Sequence, residues 1–326
     1  MFKNRIMLKR TKGTMIILML IIFIFSISFV ITASAQKKPD ALTVMGGGVG
    51  GTWNIIASMM SEIFMKNGVK SSVEIGYGGT NIIMLDRGEA ELGISTSSLI
   101  PLAKRGEAPF DQKYENITAI CNVSSESIFH IFVFKGSGIN NIEDLKGKKI
   151  ANQPPGSSNR IALDIMLEAY GLTEKDVTIS GSSQSEDLAL MQDRHVDACC
   201  IGCAPLSATV AQIANSLPVK LLGFSEEAVK NAIKINLGVS KYILPANTYP
   251  NQPKDILTLR LPDMLLVRKD MSDEEVYWIT KTLAENTEDL NSYAPLKDLT
   301  VKTMSMVIGV ELHPGAKKYY DEVLNK

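Results

Sequence analysis

Short apolar runs alternate with longer amphipathic segments along the first part of the chain. Residues 42–45, 72–77 and 90–95 are short runs bounded by glycine or polar residues, which predict strands. Residues 52–65 carry apolar side chains at helical spacing, and residues 81–85 predict a second, short helix. The β-α-β-α-β order of these segments predicts an open α/β sheet.

The same alternation returns between residues 128 and 222. The helix predicted at 183–192 begins with Ser183 and has Glu186 three residues later, which is the pattern of a capping box. The chain therefore contains a second predicted α/β block. Its strands are predicted at 128–134, 149–152, 177–180, 197–201 and 219–222, and its helices at 142–147, 157–169, 183–192 and 205–214.

The pattern changes after residue 241. Residues 242–261 are rich in proline and asparagine and predict a loop with one strand at 256–260. Helices are predicted at 272–285, 301–307 and 314–324. The simplest closure packs this last segment on the first block. It gives a discontinuous lobe of residues 36–127 plus 242–326, a continuous lobe of residues 128–241, and a cleft between them.

The first 35 residues differ from the rest in charge and hydropathy. They hold five basic residues and no acid, and the apolar run 15–31 precedes Ala33-Ser34-Ala35, small at both positions that signal peptidase reads. We interpret residues 1–35 as a cleaved export signal. An uncleaved membrane anchor is the alternative, because the run has about 17 residues. Both interpretations place the body of the protein in the periplasm or on the outer face of the cytoplasmic membrane.

The remaining 291 of the 326 residues carry a net negative charge. The chain has 34 basic and 35 acidic residues, so removing the five basic ones leaves 29 against 35 and a formal charge of −6. An acidic body lacks the basic footprint that nucleic-acid binding requires. The apolar content of 45% is enough for a packed core and rules out disorder as the main state.

Loops rich in glycine or hydroxyl groups follow five of the predicted strands. They are residues 46–51, 76–81, 94–98, 154–160 and 181–183. Open α/β sheets bind ligands at the carboxyl ends of their strands, and bare N–H groups at helix starts favour an anion. Tight turns without a ligand are the alternative for each loop taken alone.

The first of these loops, GGGVGG, also satisfies the G-x-G-x-x-G fingerprint of dinucleotide sites. Such sites need an acidic residue at the end of the second strand, where this chain has glycines around Tyr77. We therefore expect neither a nucleotide nor any other cofactor.

Catalytic motifs are absent from the sequence. The G-x-S-x-G elbow, the H-E-x-x-H helix and a phosphate loop with lysine do not occur, and three histidines leave little for acid–base chemistry. His130 lies in an apolar run, which favours a packed position in the core. The sequence therefore predicts a binding protein rather than an enzyme.

Four cysteines, Cys121, Cys199, Cys200 and Cys203, leave three interpretations open. Their even number permits disulfides outside the cytoplasm, and the Cys200–Cys203 spacing with His195 upstream permits a metal or redox site. The strand-like context favours the third interpretation, in which the thiols pack as small hydrophobic groups. We therefore predict no metal site.

Five motifs occur in the order found in one family. They are the glycine loop at 46–51, GEAELGI at 88–94, the segment 138–149 that contains DLKGKK, PGSS at 155–158 and CAP at 203–205. On these motifs the chain resembles the TAXI family of extracytoplasmic solute receptors, which serve TRAP transporters. The resemblance runs from about residue 42 to residue 222 and more weakly to the end.

This resemblance implies a type 2 periplasmic-binding-protein fold, with two α/β lobes, a hinge and a cleft that closes on a ligand. It implies a small organic anion as ligand, an amino acid such as glutamate or another carboxylate. The ligand would be delivered, without catalysis, to the membrane subunits of a TRAP-type permease. We expect a monomer. An exported enzyme and a ligand-sensing domain on the same two lobes are the alternatives.

The resemblance and the five loops together give a set of expected ligand-binding residues. They are Gly50, Gly51, Thr52, Trp53, Gly78, Asn81, Thr96, Ser97, Ser157, Ser158, Asn159, Arg160, Ser183, Cys203 and Pro205. The chain departs from the family's pattern at several of them. Trp53 stands where tyrosine is usual, and Gly78 where serine is usual. Thr96 replaces a glutamine, Asn159 a threonine and Arg160 a common acid.

Arg160 and Trp53 carry the sharpest of these expectations. Arg160 is predicted in the first turn of a helix that faces the cleft, where a guanidinium group can hold a carboxylate with two parallel bonds. We expect Arg160→Ala to weaken anion binding by about 2 kcal/mol or more. Trp53 is expected to pack against an apolar part of the ligand. A solvated surface position and a place in the core are the respective alternatives.

Overall fold

A computed structural model describes residues 37–124 and 127–325. The predicted export signal, residues 1–35, lies outside these residues. None of the helices within the described part of the chain is long and apolar enough to span a membrane.

The described residues alternate strands and helices from one end to the other. The strands are β1 Ala41–Met45, β2 Lys70–Glu74, β3 Leu92–Thr96, β4 Ile117–Ser124, β5 Ile128–Phe134, β6 Lys149–Ala151, β7 Thr178–Ile179, β8 Ala198–Cys203, β9 Val219–Leu221, β10 Ser240–Leu244, β11 Ile256–Arg260 and β12 Asp263–Arg268. The α-helices are α1 Thr52–Lys66, α2 Gly78–Asp86, α3 Leu99–Arg105, α4 Ser158–Ala169, α5 Gln184–Gln192, α6 Ala208–Ser216, α7 Glu226–Ile235, α8 Asp273–Glu285, α9 Thr287–Asn291, α10 Val301–Met304 and α11 Pro314–Leu324. Short 3-10 helices lie at Ile142–Leu145, Glu174–Asp176 and Ala294–Leu296.

The strands form two sheets. The first has five strands in the order β2-β1-β3-β12-β4, with β1 parallel to both β2 and β3 and with β12 antiparallel to β3 and β4. The second sheet has seven strands. Six of them lie in the order β10-β11-β5-β8-β6-β7, and the seventh, β9, pairs with the C-terminal residues of β5. The predicted mixed α/β architecture is confirmed.

Helices cover both faces of the first sheet. On one face, apolar side chains of α1, α8 and α11 pack together, including Ile56, Ile279 and Tyr320. On the other face, Ile82 and Leu85 of α2 belong to a core cluster that also includes residues of the second sheet. The amphipathic pattern that predicted helix 52–65 is therefore the pattern of its buried face.

The chain crosses between the sheets at two places, from β4 to β5 and from β11 to β12. The two crossings lie side by side, because the Leu261 N–H donates to the Ser127 carbonyl at 2.8 Å. A third link ties the turn after β3 to the loop after α7. There the Ser97 hydroxyl donates to the Gly238 carbonyl at 2.5 Å, and Asn236 Nδ2 donates to the Ser98 carbonyl at 2.8 Å.

The region after residue 241 differs from the prediction. Residues 240–244 form a strand as well as residues 256–260, and both pair within the second sheet. The apolar run Asp263–Arg268 is a strand of the first sheet that the sequence did not single out. The lobe boundaries stay a prediction, and we propose moving the return crossing from residue 242 to Leu261-Pro262.

Candidate functional site

A cavity of about 440 Å³ lies at the crossings between the two sheets. Thr96 and Asp263 line it from the first sheet, and Gly202 and Cys203 line it from the second. The full lining is Thr52, Trp53, Thr96, Ser127, Gln153, Ser158, Asn159, Ala162, Gly202, Cys203, Ala204, Ser207, Thr209, Leu261, Asp263 and Pro295. Six of the expected residues therefore come together here, namely Thr52, Trp53, Thr96, Ser158, Asn159 and Cys203.

Three helices begin at this cavity. Thr52 and Trp53 open α1, Ser158 and Asn159 open α4, and Thr209 lies in the first turn of α6. The N–H groups of a first helical turn have no acceptor within the helix, and the helix dipole places partial positive charge there. The cavity is thus surrounded by hydrogen-bond donors suited to a carboxylate.

Asn159 holds the start of α4 against the second sheet. Its Oδ1 accepts a hydrogen bond from the Gly202 N–H at 2.7 Å, and its carbonyl accepts one from Asn152 Nδ2 at 3.3 Å. Asn152 Nδ2 also donates to the Cys200 carbonyl at 2.8 Å. The two amide side chains therefore fix where the first turn of α4 meets β8.

Asn81 does not line the cavity, but its side chain holds the loop after β1 in place. The side chain is fully buried, and its Nδ2 donates to the carbonyls of Gly46 at 2.9 Å and Ile94 at 2.7 Å. These bonds connect the glycine loop after β1 with β3. Asn81 therefore positions the loop, and its expected contact with a ligand stays a prediction.

Hydroxyl groups of three other expected residues are engaged by the protein itself. Ser97 donates to the Gly238 carbonyl. Ser157 caps α4 by accepting from the Arg160 N–H at 3.2 Å, and Ser183 caps α5 in the predicted capping box. None of these three residues lines the cavity.

Arg160 does not face the cavity, contrary to expectation. Its Nε donates to Asp164 at 2.8 Å, and its Nη2 donates to Glu174 at 2.5 Å. The side chain is 9% exposed. The guanidinium is thus hydrogen-bonded to two carboxylates. Asp164 lies one turn further along α4, and Glu174 lies in a neighbouring 3-10 helix. The sequence could not show this, because Glu174 is brought to Arg160 only by the fold.

The expected glycines and Pro205 also lie outside the cavity lining. Gly50 and Gly51 are exposed, and Gly50 has the positive φ of 76° that its turn requires. Gly78 is buried at the start of α2. Pro205 lines a second cavity of about 280 Å³, which shares Ala204, Ser207 and Pro295 with the first.

Asp263 lines the cavity and carries an ionisable carboxyl group, but the sequence did not identify it as a site residue. It is partly exposed at the start of β12 and pairs with Thr96 of β3. Burial raises its pKa to about 7, against the lowering effect of a hydrogen bond from the Trp53 indole. An acid directly after Leu261-Pro262, at the head of an apolar run, was the available signal.

The thiol of Cys203 and the imidazole of His130 lie near each other beside the cavity. Cys203 Sγ lies 3.9 Å from His130 Nδ1, and His130 Nε2 lies 2.8 Å from the Tyr249 hydroxyl. Burial raises the pKa of Cys203 to about 11 and lowers that of His130 to about 4. At neutral pH both groups are therefore uncharged, and the thiolate needed for nucleophilic attack is disfavoured.

All four cysteines are free thiols, and Cys121, Cys199 and Cys200 are buried. This agrees with packing as small hydrophobic groups. Within residues 37–124 and 127–325, no group of three or more His, Cys, Asp or Glu side chains is placed to hold a metal ion.

Solved structures share this fold across most of the chain. The periplasmic aliphatic sulphonate binding protein SsuA from Escherichia coli aligns with a TM-score of 0.52 and 18% identity, over 87% of this chain and 79% of its own. XAC2383 from Xanthomonas citri bound to ATP aligns with a TM-score of 0.51 and 12% identity, over 87% and 95%. A periplasmic transporter aligns with a TM-score of 0.50 and 14% identity, over 87% and 93%. The predicted periplasmic-binding-protein fold is confirmed.

A family model described as the NMT1-like family matches residues 44–323. This range includes both sheets except for the first three residues of β1, and it includes every residue that lines the cavity. The chain belongs to the NMT1-like family.

Proposed function

We propose that the protein is an extracytoplasmic solute receptor that holds a small organic acid between its two sheets and passes it to a membrane permease. The observation that carries the proposal is the cavity of about 440 Å³ at the crossings, lined from both sheets. Its size lies within the range of small-molecule sites. A ligand at this position contacts both sheets at once, so it stabilises a closed arrangement over an open one.

The chemistry of the lining favours a carboxylate. The first turns of α1, α4 and α6 offer N–H groups that have no acceptor within the helix, and Ser158 and Thr209 add hydroxyl donors. Trp53, Leu261 and Pro295 supply apolar surface for the rest of the ligand. Long-range attraction by an acidic body cannot recruit an anion, so local donors must provide the binding energy.

A TRAP-type permease is the finer part of this proposal. The five ordered motifs support it, and the predicted signal at residues 1–35 supports export. The likeness to the sulphonate binding protein of Escherichia coli concerns the fold. Co-purification with membrane subunits tests this part. A two-subunit permease without an ATPase supports the TRAP type, whereas recovery of an ATPase contradicts it.

An exported enzyme is the rival, and the Cys203–His130 pair is the observation in its favour. The neutral state of both groups at pH 7 opposes it. Prolonged incubation of the bound acid with the protein, followed by mass spectrometry, separates the two. The receptor returns the acid unchanged, and the enzyme converts it.

A thermal-shift screen of the purified protein against amino acids and mono- and dicarboxylates tests the proposal as a whole. A ligand that binds only the folded state raises the melting temperature. We expect at least one small acid to do so in a concentration-dependent way. If no acid in either class produces a shift, the proposal is wrong.

A further inference from the structure

We infer that Asp263 determines ligand specificity by pairing with an ammonium group, so that the bound acid is a zwitterionic amino acid with an uncharged side chain. This inference rests on the proposed function and narrows its ligand class. It excludes 2-oxo acids, 2-hydroxy acids and dicarboxylates as preferred ligands.

The charges around the cavity carry the argument. Among the described residues that line it, Asp263 is the only carboxylic acid, and none is Lys, Arg or His. No described ion pair includes Asp263. A partly buried carboxylate without a counter-charge is unfavourable, so a cationic group of the ligand is the partner that the cavity lacks.

Asp263 has room for such a partner. The indole of Trp53 has a single N–H, and a carboxylate has about four acceptor positions. Several acceptor positions therefore remain for a ligand ammonium, which carries three N–H donors. Cys203 is the other titratable group in the lining, and its raised pKa of about 11 keeps it from adding a second negative charge.

The opposite charge of the ligand is met by the helix starts. The first turns of α1 and α4 favour the α-carboxylate, as argued above. The ligand's ammonium then pairs with Asp263, and its α-carboxylate binds at the helix starts. None of the described lining residues is a Lys, Arg or His that could pair with a second carboxylate. This feature argues against glutamate, which the family resemblance implied, and for a side chain that packs against Trp53, Leu261 or Pro295.

Isothermal titration calorimetry with matched analogues tests the inference. Neutral L-amino acids are compared with the 2-hydroxy acids that carry the same side chains, on the purified protein and on Asp263→Asn. On the wild-type protein we expect the best amino acid to bind at least roughly 30-fold more tightly than its 2-hydroxy analogue. In Asp263→Asn the amino acid should lose most of that advantage, while the hydroxy acid binds as well as before or better. Asp193→Asn, an exposed acid outside the cavity lining, is the matched control and should leave the ratio unchanged.

The outcomes separate this inference from the proposed function. Equal binding of the two analogues by the wild-type protein overturns the role of Asp263 and leaves the receptor intact. A ratio that survives in Asp263→Asn overturns it as well. Failure of both classes to bind overturns the inference, and the thermal-shift screen against the other carboxylates then decides whether the proposed function stands. If Asp263→Asn does not fold, equal binding of the two analogues by the wild-type protein still overturns the inference.

Discussion

The Asp263 carboxyl makes the unliganded protein sensitive to pH. Its pKa of about 7 lies above the value of about 3.9 expected in the unfolded chain. Between these two values the folded state binds the proton more tightly. The free energy of unfolding therefore falls as pH rises from about 4 to about 7 and receives no further loss from this group above that.

Asp263→Asn should remove this part of the pH dependence. At about pH 8 we expect the variant to be more stable than the wild type by on the order of 2 kcal/mol, and at about pH 4 the two should be equal. Urea unfolding across this range measures the difference. Parallel pH profiles for the two proteins would show that the carboxyl is not held in an unfavourable environment.

We expect Arg160 to stabilise the fold rather than to contact the ligand. Asp164 and Glu174, its partners, are 45% and 65% exposed, so each ion pair is worth little, but the guanidinium itself is nearly buried. We expect Arg160→Ala to lower the free energy of unfolding by about 1–2 kcal/mol and to leave ligand affinity within about twofold. Denaturant unfolding and calorimetry check the two parts. A large loss of affinity without a loss of stability would restore the direct ligand contact that the sequence suggested.

At the scale of elements, the loops after β1 and β2 depend on the buried Asn81 amide. A methyl group added at Gly76 would overlap with Asn81 Oδ1, whereas one added at Gly79, inside α2, would make ordinary contacts with Phe110 at 3.8 Å. We expect Gly76→Ala to lower stability by about 2 kcal/mol or more, because Asn81 must give up bonds to carbonyls. Gly79→Ala should raise stability by about 0.5–1 kcal/mol, because alanine favours the helix. Thermal unfolding of both variants tests the pair, and an equal effect of the two substitutions would contradict it.

The start of α4 is the element that most directly forms the cavity. Ser158→Trp should fill the cavity and abolish the melting-temperature increase produced by the best ligand. Glu168→Trp places the same side chain at an exposed position of the same helix and should retain that increase. Thermal shift measures both. Retained binding by Ser158→Trp would move the ligand site elsewhere.

Patterns within a few residues predicted most helices and strands, but they did not predict which distant strands pair. The capping box of Ser183 and Glu186 and the amphipathic face of residues 52–65 depend on neighbours within a few positions, and both are present. The contact of Asp263 with Thr96 depends on strands far apart in sequence, which no local period encodes. The same reason explains why the pairing of β10 and β11 within the second sheet was not predicted.

For the whole molecule, the two adjacent crossings and the Ser97–Gly238 link define where the sheets are joined. The cavity of about 440 Å³ lies next to them and is lined by residues of both sheets. The net charge of the body adds little to recognition at this site. In the proposed receptor, closure therefore depends on the ligand's own bonds to each sheet.

A crystal structure with the best ligand from the screen tests most directly whether a small acid is held between the two sheets. We expect electron density for the ligand in the cavity, in contact with residues of both sheets, with its carboxylate at the first turn of α1 or α4. Density for the ligand outside this cavity, or contacts with one sheet alone, would contradict it.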